Sequence, residues 1–284
     1  MANWLSILQE FKIDEPAPTR PRGPVPTLKP NPKVILFDVY GTLVCPQVGD
    51  LDEQVRLVSG EESFIATAKR FGFSKETGIK WHKWFFEIIS SEHREEEKKG
   101  IAPAEVQVDR IWTEMIARVG GDPTASPPRM VAAYRELMAN PVRPFSGAAE
   151  ALFKLRKSGI MLGLASNSQF YTLPILAKVL GIEPEELFEP ELIFLSFHLG
   201  FSKPSPYFFR LVRTRALNLG LRSEEVLVVG NDCENDILPA KAHGLQALLF
   251  WGNAQSVRKG EIDRIGPLVT NYEALLKACG IRSD

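Results

Sequence analysis

With 284 residues, 44% of them hydrophobic, the chain can bury the core of one large domain or two ordinary ones. Its 34 basic and 35 acidic side chains leave a formal net charge of -1, which excludes a general attraction to nucleic acid or to anionic membrane surfaces. Three widely spaced cysteines (Cys45, Cys233 and Cys279) form no CxxC pair, and no apolar run approaches the roughly 20 residues of a membrane span, so the sequence reads as cytoplasmic and free of disulfides.

The first expected element is a short amphipathic helix over residues 3–12, where Trp4, Leu5, Leu8 and Phe11 recur near helical spacing. Residues 15–32 then hold seven prolines, which cannot sustain a helix or a central strand and read as an extended linker or surface strap, closing an N-terminal arm over 1–32. At residues 33–37 the run KVILF is continuously apolar and rich in branched side chains, the pattern of a strand buried on both faces of a parallel sheet. Residues 51–141 change to long helical patterns. There the aromatics Trp81, Trp84, Phe85 and Trp112 read as packing rather than pocket lining, and SEHREEEKKG reads as a solvated helix face.

From Val142 helices and strands alternate: GAAEALFKLRKSG, IMLGLAS, LPILAKVLG, ELIFLS, SPYFFRLVRTRALNLG, EVLVVG, ILPAKAHG, LQALLFW. Such alternation predicts an α/β fold, a doubly wound parallel sheet of Rossmann-like type over residues 33–50 and 142–284. The helical segment 51–141 is expected as an all-helical domain inserted between the first and second strands.

Ligands of open parallel sheets bind at the carboxyl ends of the strands. Asp38 follows VILF, Ser166 and Asn167 end IMLGLA, Lys203 lies shortly after LIFLS, and NDCEND follows VLVVG. Each has an ordinary structural explanation by itself: a turn for Asp38, a helix cap for Ser166, a surface lysine at 203, acids at a helix start. Their coincidence at four successive strand ends argues instead for one site that handles an anionic or leaving group.

Four stretches in the right order, DVYGTLV, GLASNS, LGFSKPSPYFF and VVGNDCENDILPAKAHG, make the sequence resemble the haloacid dehalogenase-like hydrolase superfamily, with the helical insert in the place of its cap. The resemblance implies Asp38 as a nucleophile that forms a covalent aspartyl intermediate, Lys203 as its counter-charge, and Ser166 and Asn167 near a phosphoryl oxygen, with Gly41 and Thr42 in the turn that opens and closes the site. It also implies Mg²⁺, a hard cation taking oxygen ligands, held by Asp38, the Tyr40 carbonyl and a residue of NDCEND. Two assignments are open there. Asn231 supplies an amide oxygen where the family usually has an acid, or Asp232 supplies the carboxylate; the second is favoured, with Asp236 behind the metal-bound water or Lys203.

Tyr40 is the departure from the pattern. Most phosphatases of the superfamily carry a second aspartate at this position, which protonates the leaving alcohol and later deprotonates water; a phenol is a poor substitute in both roles. Tyrosine here is what 2-haloacid dehalogenases show, since halide leaves without a proton. Their fourth stretch has a different form, however, and the nearest arginine after the first, Arg56, lies well beyond the GTLV turn. The expectation is therefore a Mg²⁺-dependent phosphatase for a small phosphorylated metabolite. Two alternatives stand behind it, a metal-free hydrolase acting on carbon and a low-turnover binding protein, and oligomeric state is undetermined.

Overall fold

A computed structural model describes residues 4–21, 23, 25–46, 53–101, 103–253 and 266–281, with only the backbone for residues 53–59. The side chain of Arg56 therefore lies outside the described residues. Two compact units emerge, one of Met1–Ile13 with Gln47–Val142, the other of Asp14–Pro46 with Arg143–Asp284.

The first unit is helical: α1 (Glu53–Arg70), α2 (Lys75–Lys98), α3 (Val108–Arg118) and α4 (Pro128–Ala139). Ser74 caps α2 by accepting the Thr77 N–H, and Pro128 opens α4, where a missing N–H costs nothing. Gly78 lets α1 and α2 touch, because a Cβ there would stand 2.6 Å from the Ile65 Cα. Trp81, Trp112 and Phe64 are fully buried against one another, with the Trp81 indole donating to the Met115 carbonyl. Phe85 is buried with them, while Trp84 is half-buried beneath the Arg118 guanidinium. The aromatic stripe is thus a core. At the N-terminus the expected α-helix is instead a 3₁₀-helix, Trp4–Glu10, and its three-residue turn buries Ile7 and Leu8 while leaving Leu5 exposed.

The second unit is built on a six-stranded parallel sheet. Its strands are β1 (Val34–Phe37), β4 (Met161–Ser166), β5 (Ile193–Leu195), β6 (Val226–Gly230), β7 (Gln246–Phe250) and β8 (Leu268–Val269), in the order β5-β4-β1-β6-β7-β8. Two further short strands, β2 (Val44–Pro46) and β3 (Val142–Pro144), pair with each other. The helices of this unit are α5 (Ala148–Lys157), α6 (Thr172–Leu180), α7 (Pro184–Leu187), α8 (Ser196–Leu199), α9 (Pro206–Asn218), α10 (Leu238–Ala242) and α11 (Tyr272–Ala278). Every residue of β1 and β6 is buried, as a continuous apolar run between two covered faces requires.

The strand order reverses beside β1, and such a switch point opens a crevice at the strand ends. In register, Phe37 stands beside Leu164 and Val229, so the residues that follow all three strands emerge at one level. The proline-rich segment is strapped to this same unit. Ala17 exchanges backbone hydrogen bonds with Pro144 and Ser146, the Arg20 N–H donates to the Gly252 carbonyl, and the Arg20 guanidinium lies 3.8 Å over the Trp251 ring. Cys45, Cys233 and Cys279 are free and buried.

Candidate active site

Asp38 remains in the sheet through its backbone, whose N–H donates to the Val229 carbonyl, while its carboxylate leaves β1 and enters the crevice. Lys203 meets it there. The Lys203 ammonium is 2% exposed and donates to Asp38 Oδ1 (2.9 Å), Asp236 Oδ1 (2.5 Å) and the Ala165 carbonyl (2.6 Å), one acceptor for each proton. Burial by itself would lower the pKa of this ammonium, but the charges of Asp236 and Asp38 outweigh that and hold it above the ordinary lysine range. Asp38 Oδ2 has no protein hydrogen bond among the described residues. One oxygen of the carboxylate is thereby anchored and the other is left for chemistry.

Asp236 is 1% exposed on its side chain, and its second oxygen, Oδ2, accepts the Asp232 N–H at 3.0 Å. Burial pushes this carboxyl upward, Lys203 pulls it down and the Asp38 charge pushes it up again, with a net upward displacement. The fit is tight: a Cβ on Gly230 would stand 2.2 Å from Asp236 Oδ2, so only glycine lets β6 end beneath this carboxylate. Gly41 has a comparable role in the turn after Asp38. Its φ of +86° is left-handed, and a Cβ there would stand 2.3 Å from the Asn231 amide nitrogen.

A cavity of about 180 Å³ opens on these groups, lined by Asp38, Tyr40, Asn167, Lys203, Asn231, Asp232, Asn235 and Asp236. Seven of the nine residues predicted from sequence meet here. The other two, Thr42 and Ser166, are fully buried and are not among the lining residues. Thr42 Oγ1 donates to Asn231 Oδ1 at 3.4 Å, and its carbonyl accepts the Tyr272 hydroxyl at 2.5 Å. Ser166 Oγ is buried with no hydrogen-bond partner, an orphaned hydroxyl beside the crevice.

Asn167, expected to touch substrate, uses its amide on the protein: Nδ2 donates to the Lys203 carbonyl (2.9 Å) and Oδ1 accepts the Lys203 N–H (2.7 Å). Asp232 is likewise engaged, its Oδ1 capping the π-helical turn Cys233–Ile237 through the N–H groups of Glu234 and Asn235, its Oδ2 accepting from the Asn235 amide. The Tyr40 hydroxyl lies 3.2 Å from Thr172 Oγ1 at the start of α6. Sequence reasoning missed Asn235, Thr172 and Tyr272. Asn235 stood in plain view within NDCEND, three positions after Asp232; the other two carry no local signal.

Among the described residues, no group of three or more His, Cys, Asp and Glu side chains gathers as a metal site. The cavity nevertheless offers oxygen donors suited to a hard cation that keeps much of its water: the Asp38 carboxylate and the side-chain oxygens of Asn231 and Asp232. The two thiols near sequence motifs differ from these groups. Burial and the neighbouring acids push Cys233 upward, away from thiolate chemistry, and Cys45 accepts a contact from Asn253 in the buried interior.

The chain resembles known proteins over much of its length. It is 30% identical over 120 residues to a glyceraldehyde 3-phosphate phosphatase of Pyrococcus furiosus, covering 42% of this chain and 47% of that protein. With a phosphoserine phosphatase of Thermus thermophilus it shares 29% identity over 143 residues, 49% of this chain and 53% of the other. The chain thus spans about half the length of the curated relatives it matches. Among solved structures, a 2-haloacid dehalogenase of Pseudomonas syringae superposes with a TM-score of 0.57 at 19% identity, over 88% of this chain and 98% of that one, a likeness of fold. The model of the haloacid dehalogenase-like hydrolase family matches residues 32–244, three quarters of the sequence and all four strand ends that build the crevice. The chain therefore belongs to the haloacid dehalogenase-like hydrolase family.

Proposed function

We propose that this hydrolase is a Mg²⁺-dependent phosphatase that transfers the phosphoryl group of a small metabolite to Asp38 and then to water. The carrying observation is the buried Lys203 ammonium between Asp38 and Asp236, which anchors one oxygen of the nucleophilic carboxylate and offsets the charge of an arriving anion. Asp38 Oδ2 attacks phosphorus while Oδ1 stays on Lys203. Ser166 Oγ, orphaned in the protein, donates to a phosphoryl oxygen once the crevice adjusts around substrate. Asn167 holds the backbone of Lys203 in place.

A cation would be held by Asp38, the Tyr40 carbonyl and a side-chain oxygen of Asn231 or Asp232, the first of which also accepts from Thr42 and the second from its own turn. Bound there, it supplies charge neutralisation for the phosphoryl oxygens. The phosphatase names of the two sequence relatives support this reading.

The experiment is phosphate release from an activated aryl phosphate, with Mg²⁺ and with chelator, using Asp38→Asn as the blank. Release that needs both the metal and Asp38 is expected; release undiminished in Asp38→Asn removes the mechanism. Tyr40 specifically favours a second reading, displacement at carbon by Asp38 with halide leaving unprotonated. Metal-independent halide release from a 2-haloacid would replace the first reading with this one.

A further inference from the structure

The cavity poses a question about protons. An alkoxide leaving from phosphorus must be protonated as the bond breaks, so a site for alkyl phosphates needs a proton donor at the leaving oxygen. Among the described residues lining the cavity, each ionisable group is already committed. The three protons of Lys203 go to Asp38, Asp236 and the Ala165 carbonyl. Both oxygens of Asp236 accept hydrogen bonds, from Lys203 and from the Asp232 N–H, and the side chain is 1% exposed, so neither oxygen is placed to reach a leaving group. Asp232 accepts three N–H donors across its two oxygens, which are spent on capping their own turn. Asn167, Asn231 and Asn235 are amides, and no histidine lines the cavity. What remains is Tyr40, a phenol tied to Thr172, a feeble donor beside a carboxylic acid.

We infer that the substrate is an acyl phosphate, a mixed carboxylic–phosphoric anhydride whose leaving group departs as a carboxylate and needs no proton. This deepens the phosphatase reading and rests on it. The bonds close without an acid. Asp38 Oδ2 attacks phosphorus, the P–O bond to the acyl oxygen breaks, and its electron pair leaves on the carboxylate with no proton moved. Water then attacks the phosphorus of the aspartyl phosphate and the P–O bond to Asp38 breaks, returning the electron pair to Asp38. One water proton stays on the new P–O group and the other passes to a phosphoryl oxygen, giving dihydrogen phosphate.

Two further points favour an acyl over an aryl leaving group. The first half-reaction exchanges one mixed anhydride for another, so it runs close to thermoneutral, and the second half-reaction is itself the hydrolysis of an acyl phosphate at this same site. The cavity, at about 180 Å³, is lined by acids, amides, one lysine and one phenol, so Tyr40 is the one aromatic side chain among its described lining residues.

The test uses the full chain with Mg²⁺ and three probes, acetyl phosphate, glycerol 3-phosphate and a series of substituted aryl phosphates, with Asp38→Asn as the blank. We expect kcat/KM for acetyl phosphate to exceed that for glycerol 3-phosphate by about 10² or more, the usual worth of a general acid. Tyr40→Asp, which puts a carboxyl at the leaving oxygen, should narrow that ratio. Should that variant fail to fold, the wild-type aryl series still decides: rates must fall steeply as the leaving phenol becomes more basic. Glycerol 3-phosphate cleaved within tenfold of acetyl phosphate, or a flat aryl series, overturns the inference and leaves the phosphatase standing. So does aryl cleavage with no acetyl phosphate turnover. No release from any probe above the blank overturns both.

Discussion

Replacing Lys203 by methionine keeps most of the side-chain length and removes one charge from between two buried carboxylates. Asp236 is 1% exposed on its side chain and cannot turn to water for compensation, whereas Asp38, at 11%, still faces the cavity through Oδ2. Asp38 Oδ1, Asp236 Oδ1 and the Ala165 carbonyl all lose their donor, and Asp236 keeps the Asp232 N–H. Breaking a buried pair from one side costs about 3–5 kcal/mol, since the remaining charge stays desolvated. At about 2–4 °C per kcal/mol for a chain of this size, the melting temperature should fall by about 6–20 °C at pH 7. Asp236→Asn supplies the sharper check. In the wild type it strips Lys203 of a partner and destabilises, whereas in the Lys203→Met background it removes an uncompensated charge and should stabilise. The pH dependence has a definite sign as well. Burial and the Asp38 charge raise Asp236, and without Lys203 only the Asp232 N–H pulls it back, so its folded-state pKa exceeds the unfolded value. Such a group costs nothing below the ordinary carboxylate range and destabilises increasingly as pH rises through its folded pKa. The deficit of Lys203→Met should therefore be smallest near pH 4 to 5 and largest at neutrality, read by thermal melts across that range. A melting temperature within about 2 °C of wild type, or Asp236→Asn destabilising in both backgrounds, would refute the triad as described.

Gly230→Ala introduces a Cβ 2.2 Å from Asp236 Oδ2, an overlap that the pinned carboxylate relieves only by leaving Lys203. We expect a loss of about 1–3 kcal/mol in urea denaturation together with at least a tenfold loss in turnover; an active, equally stable variant would show that Asp236 has room to move. Away from the site, Glu225 accepts from the Lys33 ammonium at 2.8 Å and from the Arg222 N–H, and these partners hold its carboxyl down at about 2. A depressed carboxylate stabilises above its unfolded pKa and loses that contribution as pH falls through the folded value, so the stability gap between wild type and Glu225→Gln should be full at pH 7 and close between about pH 4.5 and 2. A gap that persists unchanged into acid would assign the effect to packing.

The strands β1, β4, β6 and β7 were legible because a continuous run of branched apolar residues has few other uses, and the alternation with helices then dictated a parallel sheet. The elements that escaped are α11, which lies beyond the last expected strand, and the short ones. β8 has two residues, β2 and β3 three each, α7 and α8 four, and no periodicity can be read over such lengths. The N-terminal segment shows the converse, a pattern long enough to read but wound with three residues per turn, so that the buried pair became Ile7 and Leu8. In the site, Asp38, Lys203 and Asp236 were visible because strand ends confer position, while the roles of Asn167 and Asp232 were not, because they depend on which donors each oxygen meets. Asn167 faces the backbone of Lys203, 36 residues later, and Tyr40 faces Thr172, 132 residues later. Asp232 illustrates the local limit. In a run of acids and amides, the oxygen left for a ligand is decided by how the backbone turns. A π-helical turn at Cys233–Ile237 brings the N–H groups of Glu234 and Asn235 onto Asp232 and returns Asp236 beneath Gly230. The carboxylate closest in sequence to the strand end is thus consumed as a cap, the one four residues on becomes the partner of Lys203, and the neutral Asn231 is left nearest the Gly41–Thr42 turn.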